Sequence, residues 1–312
     1  MTMNTDQARV IDPVLTQTAQ GYSHADRVGM TLFPFADISQ RGGAVLRFGK
    51  ESFRKTNARR APGADTQTIQ LGYNGEAFSL MQDALNATVP REHLQDAEAV
   101  PGIELGEAAL RTVMNNMTLS LECEQAEIAT KLESYRDSHR SEMTGSDKWS
   151  DPSSDPSKDI DAAKDAVRAR IGVEPNRMVI SKPVFTALKG HPKIKDQFKY
   201  TSSESITVAM LAAYFELEKL AVGKSVVLDS PDDDASFSDV WGNDAVLAYV
   251  PTDSRGFEEP SYGYTYRLKG HPFVEQPYWD NSKKSWVYGV TFDRLPIMTG
   301  TDAGFLFKSV VG

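Results

Sequence analysis

The run Val222-Gly223-Lys224-Ser225 ends as a phosphate-binding loop ends, with a lysine to reach phosphate oxygens and a hydroxyl to meet a magnesium ion. Such a loop also needs a glycine five positions before Gly223, where this chain has Glu218, and a flexible glycine-rich stretch, where it has Leu217 to Ala221. Gly223 is therefore read as a turn or bulge in a strand. The five histidines, His24, His93, His139, His191 and His271, lie far apart and form no H-E-x-x-H or H-x-H pair, so no zinc centre is expected. The G-x-S-x-G and G-x-G-x-x-G signatures are absent. Asp229, Asp232, Asp233 and Asp234 offer the oxygens that a hard cation needs, but they lack the glycine and closing glutamate of an EF-hand loop and read as a solvated acidic turn. Cys123 falls in a helical run, where a thiol is a small packing residue; as the only cysteine it excludes an intrachain disulfide. No catalytic, cofactor-binding or metal-binding residue is expected, and only dispersed site residues would escape such a scan.

The bulk numbers narrow the class. Thirty-four Lys+Arg against 43 Asp+Glu give a formal charge of −9, which argues against a protein that coats nucleic acid over most of its surface. Residues 1 to 60 hold nine basic and five acidic residues, so this segment is +4 and the rest −13. An acidic body with a basic front end suits contacts between copies of the chain. No apolar run approaches the roughly 18 residues that span a bilayer, and the start "MTMNTDQARV" is polar. Synthesis in a cytoplasm, with no membrane partner, is the expectation.

The elements that could position such contacts are readable in part. Residues 1–45 scatter Val28, Leu32, Phe33 and Phe35 among Pro13, Gly21, Gly29 and Pro34, which reads as an extended arm. Each apolar side chain left in water forgoes roughly 1.5–3 kcal/mol, so the same chain or another copy must cover them. Two strand-like flanks, near 44–54 and 66–80, enclose a basic tip with Arg54, Lys55, Arg59, Arg60, Pro62 and Gly63, the pattern of a long hairpin. Residues 104–139 contain no proline and predict one amphipathic helix of roughly 50 Å. After a Ser/Asp/Pro loop, Asp155 caps a helix that ends at Gly172, and Ser181 caps another that follows the strand Met178–Val179–Ile180. A helix over 207–220 and strands over 220–228, 244–250, 262–268, 285–292 and 303–311 complete an α+β class with a mixed or antiparallel sheet.

Residues 158–228, above all "PNRMVISKPVFTALKGHPKIKDQFKYT" and "TVAMLAAYFELEKLAVGKSVVL", resemble the major capsid proteins of tailed bacteriophages with the Hong Kong 97-like shell fold. The resemblance implies an N-terminal arm (1–45), an extended β-hairpin or E-loop (46–80), a P-domain (81–157) with its spine helix (104–139), an A-domain of mixed sheet and helices (158–290), and closing strands (291–312) that return to the body. It further implies a structural protein, not an enzyme, that assembles as pentamers and hexamers into an icosahedral head around double-stranded DNA. The implied partners are other copies, a portal, a separate scaffolding protein, and a decoration protein as a further candidate. A separate scaffold is expected because this chain enters the arm almost at once, where many relatives carry a cleaved extension. Packaged DNA would be contacted weakly and without sequence preference, and the location would be the virion, assembled in the bacterial host cytoplasm. Arg54, Lys55, Arg59, Arg60, Leu32, Phe33 and Phe35 are the expected contacts between subunits, the basic tip docking on acidic surface of an adjacent copy. Lys50 and Lys55 lie in the element through which some relatives cross-link, but no matching asparagine or carboxylate is found, and cross-linking is not expected. Two other readings stand beside this one: an encapsulin-like compartment of the same fold, and a cytosolic α+β enzyme with dispersed site residues.

Overall fold

A computed structural model describes residues 11–47, 59, 74–98, 104–199, 205–228, 236–252 and 261–312. The first half runs α1 (Pro13–Gln20), β1 (Phe35–Ile38), β2 (Gly42–Arg47), β3 (Asn74–Ser79), β4 (Met81–Pro90), α2 (Arg91–Glu98), α3 (Leu105–Thr130), β5 (Arg140–Glu142) and α4 (Pro156–Ile171). Next come β6 (Arg177–Ser181), α5 (Lys182–Gly190), α6 (Pro192–Phe198), α7 (Val208–Tyr214), β7 (Lys219–Gly223), β8 (Val226–Leu228) and β9 (Phe237–Asp239). The remainder is β10 (Ala245–Ala248), β11 (Gly263–Leu268), β12 (Phe273–Val274), β13 (Tyr278–Asp280), β14 (Ser285–Met298) and β15 (Gly304–Lys308).

Two mixed sheets organise these elements, as the α+β reading requires. In one the order is β5-β15-β10-β6-β7, with β6 parallel to β7, antiparallel to β10, and β15 returning the chain beside β10. Its strands are buried almost residue by residue, because α4, α5 and α7 cover one face and the N-terminal segment the other. The expected caps are in place. Asp155 accepts from Lys158 N, Ser181 accepts from Val184 N, and Gly172 stops α4 at φ +77°, where an L side chain would be strained.

The second sheet is built on β14, a 14-residue strand. Along Ser285–Arg294 it pairs with β4; on its other side it meets β13, β12 and then β11, which in turn holds β1 in parallel. The boundary expected at residue 290 thus falls inside one unbroken strand, and only β15 returns to the other sheet. Helix α3 lies on this sheet through Leu110, Val113, Met114 and Met117 against Val290 and Phe292. It is shorter than the expected 104–139. Lys131 turns extended, and the freed carbonyls are taken by side chains rather than by a glycine cap: Ala129 O accepts from Tyr135 Oη (2.7 Å), Thr130 O from Lys308 Nζ (3.1 Å) and Leu132 O from Arg140 Nη1 (2.9 Å).

The expectation of an extended arm is also corrected over its described part, 11–45. Asp12 accepts from Val14 N and Leu15 N to start α1, β1 joins a sheet, and Leu32 and Phe33 are fully buried by this chain's own Val179, Val246, Tyr262 and Leu306. Their anchor is Glu122 on α3, 2% exposed, whose carboxyl oxygens accept from Val28 N (2.9 Å), Gly29 N (2.8 Å) and Trp241 Nε1 (2.7 Å). Removing an acceptor shared by three buried donors strands all of them. We expect Glu122→Ala to lower the unfolding free energy by about 3–5 kcal/mol in urea titration and to speed amide exchange at Val28 and Gly29, with Glu122→Gln costing less than half as much.

Candidate assembly surfaces

The hairpin expected at 46–80 has its root in the structure: β2 and β3 pair antiparallel from Gly42↔Ser79 to Arg47↔Asn74. This pair belongs to neither large sheet, so what fixes it to the body is the site's first question. Phe78 stacks on Tyr266 at 4.7 Å and 22°, and Leu80 N donates to Arg41 O. Arg41 Nε donates to Asp293 Oδ2 at 2.5 Å, while Gln82 Nε2 donates to Asp293 Oδ1 at 3.0 Å. Asp293 is 1% exposed, so these bonds tie the hairpin root and β4 to a buried point on β14. Beneath the root lies a cleft of 470 Å³, lined by Asp37, Gln40, Gly43, Phe78, Tyr266 and Lys269. Burial pushes the Tyr266 phenol up to about 12, with Tyr264 adding to the effect, so its hydroxyl stays neutral there.

One residue along β14, Arg294 is also 1% exposed. Its guanidinium forks onto Glu124 of α3 at 2.9 and 3.0 Å, and Nη2 reaches Asp83 of β4 at 2.7 Å. A rigid five-donor fork suits this bridge between helix, strand and strand, where a lysine would offer one point charge. Rigidly held surfaces therefore flank the hairpin root.

The remaining chemistry-like motifs have structural roles. A Cβ on Gly223 would meet the Trp241 ring at 2.3 Å, so the glycine of the Val222–Ser225 run allows close packing at a strand end. Ser225 Oγ donates to Asp26 O (2.8 Å) and accepts from Arg27 Nη1 (2.7 Å). The acidic run 229–235 lies outside the described residues, and among the described ones no group of three His, Cys, Asp or Glu is placed to hold a metal ion.

Residues 134–303 match the family described as Phage major capsid protein E. The chain belongs to that family. The major capsid protein of Burkholderia phage BcepMu is 34% identical over 308 residues, covering 97% of this chain and 98% of that one. A crystal structure of a phage-related protein from Bordetella bronchiseptica RB50 shares 46% identity, covers 97% of this chain and 99% of that one, and superposes with a TM-score of 0.85. The capsid of the cyanophage P-SCSP1u, at 9% identity, covers 99% of this chain and 93% of its own, with a TM-score of 0.55, a likeness of fold alone. The fold is the Hong Kong 97-like shell fold.

In this capsid-family chain the expected contact residues fall into three groups. Leu32 and Phe33 are core, covered by this chain itself, which corrects their expected place among the contacts between subunits. Phe35 is 37% exposed, with the Arg267 guanidinium 4.4 Å above its ring. Arg59 is exposed, and Arg54, Lys55 and Arg60 lie outside the described residues. Sequence reasoning passed over Arg41, Gln82, Asp293 and Arg294; only the adjacent charged pair Asp293 and Arg294 in the mostly apolar β14 hinted at buried partners.

His271 also meets this root, its Nδ1 accepting from Asp293 N at 3.0 Å. Burial lowers its pKa from 6.5, the Asp293 charge opposing, and burial likewise lowers His139. A histidine with a depressed folded pKa binds fewer protons when folded, so its stabilisation is complete above about 6.5 and is lost as pH falls below that value. We expect the thermal midpoint to be flat from pH 8 to about 6.5 and to fall on acidification, and His271→Asn, which keeps an acceptor in place of Nδ1 without titrating, to shrink the fall. Identical pH profiles for the two proteins would contradict this.

Proposed function

We propose that this chain is the major capsid protein of a tailed bacteriophage, whose copies assemble as pentamers and hexamers into an icosahedral head that encloses double-stranded DNA. The observation that carries the reading is the match to the capsid protein of phage BcepMu over nearly the whole length of both chains. In this reading residues 46–80 form the protruding E-loop, α3 the spine of a P-domain, and the five-stranded sheet with α4 to α7 the core of an A-domain. A closed shell multiplies modest contacts into a stable particle, so no single interface has to be large.

Its partners in this reading are its own copies first, then a portal, a separate scaffolding protein and, on the outside, a decoration protein. DNA contact is weak and unspecific, since a chain of net charge −9 cannot grip a dense phosphate array over a broad surface. The chain does structural work and carries out no reaction, and assembly takes place in the bacterial cytoplasm. The match to a phage capsid family favours this over a cargo compartment of the same fold.

Negative-stain microscopy of the chain expressed with its scaffolding partner should show closed shells; a discrete small oligomer under all conditions would sink the reading. Reversing the tip charges, Arg59→Glu with Arg60→Glu, should cut shell yield about tenfold while the subunit stays soluble, as loss of complementary charge slows and misdirects association.

A further inference from the structure

β4 is an edge strand whose open side is long and unprotected. It pairs with β14 without a bulge from Met81↔Arg294 to Pro90↔Ser285, and no strand among the described residues lies on its other side. In an antiparallel ladder, alternate residues turn their N–H and C=O groups to opposite sides. Arg91 N donates to Lys284 O just past the strand, and Glu275 N donates to Gly289 O on the far side of β14. The odd-numbered residues of β4 therefore face β14, while Gln82, Ala84, Asn86 and Thr88 face away, and all four are exposed. Folded proteins blunt such edges with lysine, an interior proline, a bulge or a covering element. Here Met81–Val89 holds no basic residue and no proline, and its one charge, Asp83, is drawn back onto Arg294 at 2.7 Å. Beside the open backbone, Met81 and Leu85 stand 67% and 40% exposed on one face.

We infer that the open edge of β4 pairs antiparallel with the same edge of a second copy across a twofold axis, joining two six-stranded sheets into one. The strand is self-complementary in one register. With Gln82 opposite Thr88 and Ala84 opposite Asn86, every outward N–H and C=O of these residues finds a partner, up to about eight hydrogen bonds in all. A slide of one repeat in either direction brings in Pro90, which has no N–H, or Leu80, whose N–H is already given to Arg41 O. In the favoured register the two Leu85 side chains meet at the axis as a non-hydrogen-bonded pair, about 4.5 Å apart at Cα. Asp83 then faces Ala87 instead of its own counterpart, so no like charges stand opposite each other. A strand acceptor for a different protein has no need to match itself in this way. Such an isologous contact uses one patch on both partners and closes after two copies.

This inference rests on the shell reading, since an icosahedral shell supplies twofold axes between copies, and the test separates the two. In a Cys123→Ala background, Leu85→Cys is assembled with the scaffold and the particles are oxidised with diamide. Reductant-sensitive dimers on denaturing gels are expected, because directly opposed residues of a non-hydrogen-bonded pair lie within disulfide range. Met81→Cys, at a more exposed position that faces Val89 of the other copy, should lose most of that dimer. No dimer from Leu85→Cys in well-formed particles, the result if another protein takes the edge, overturns the inference and leaves the shell reading intact. Equal dimer from Met81→Cys, the mark of random collision, does the same. If Cys123→Ala forms no shell where the unaltered chain does, Leu85→Cys is measured in the unaltered background against the dimer yield of the unaltered chain. If Leu85→Cys itself forms none, Asn86→Pro decides. It removes an outward N–H without touching the ladder to β14, and should cut shell yield about tenfold while the thermal midpoint holds. Shells at the normal yield overturn the inference. No shell from the unaltered chain counts against the shell reading itself, and the inference falls with it.

Discussion

The carboxyl group of Glu122 is the point on which the two halves of the molecule depend. It takes the backbone N–H groups of Val28 and Gly29 and the indole of Trp241, so an N-terminal turn, the spine helix and the loop before β10 meet at two oxygens. Two and three residues on, α3 repeats the device: Glu124 receives Arg294 from β14, and Gln125 Nε2 donates to Thr265 Oγ1, which in turn donates to Phe33 O. Apolar packing alone would tolerate a slipped docking at modest cost, whereas a slip here leaves several buried donors without acceptors. These polar pegs set the register in which Leu32 and Phe33 enter the core.

How legible this was depended on the range of the interaction. The caps at Asp155, Ser181 and Gly172 are local and were readable, as were the strands Arg177–Ser181 and Gly304–Lys308, because β-branched or aromatic runs bounded by turn residues need no distant information. The end of α3 was not, because Lys308, Tyr135 and Arg140 do the work of a glycine cap from up to 178 residues away. β4 escaped too. Its sequence Met81–Pro90 has weak alternation and is a strand because β14 pairs with it at ten consecutive positions.

The assembly surface was less legible still. Leu32, Phe33 and Phe35 look alike in sequence, and apolarity says that a side chain wants cover without saying whose; two of the three are buried at home and the third is partly roofed by Arg267. Leu228 gave the opposite error, reading as the end of an ordinary strand in a segment whose glycine and lysine drew attention to phosphate chemistry, and Phe237 was passed over beside an acidic turn. Contacts between copies use the same residue types as cores, so only a folded subunit separates the two.

β14 has a mechanical consequence for a particle wall. At about 3.3 Å per residue it spans roughly 45 Å, flanked by β4 on one edge and by three successive strands on the other. A pull along its axis loads all the flanking ladders in parallel, so many hydrogen bonds must shear together before the strand lengthens. Stretching forces in the wall would then pass through this strut almost undiminished, and the compliance needed for a lattice to change curvature would concentrate where the chain leaves it, at the hairpin root on Asp293, and at the extended break that ends α3.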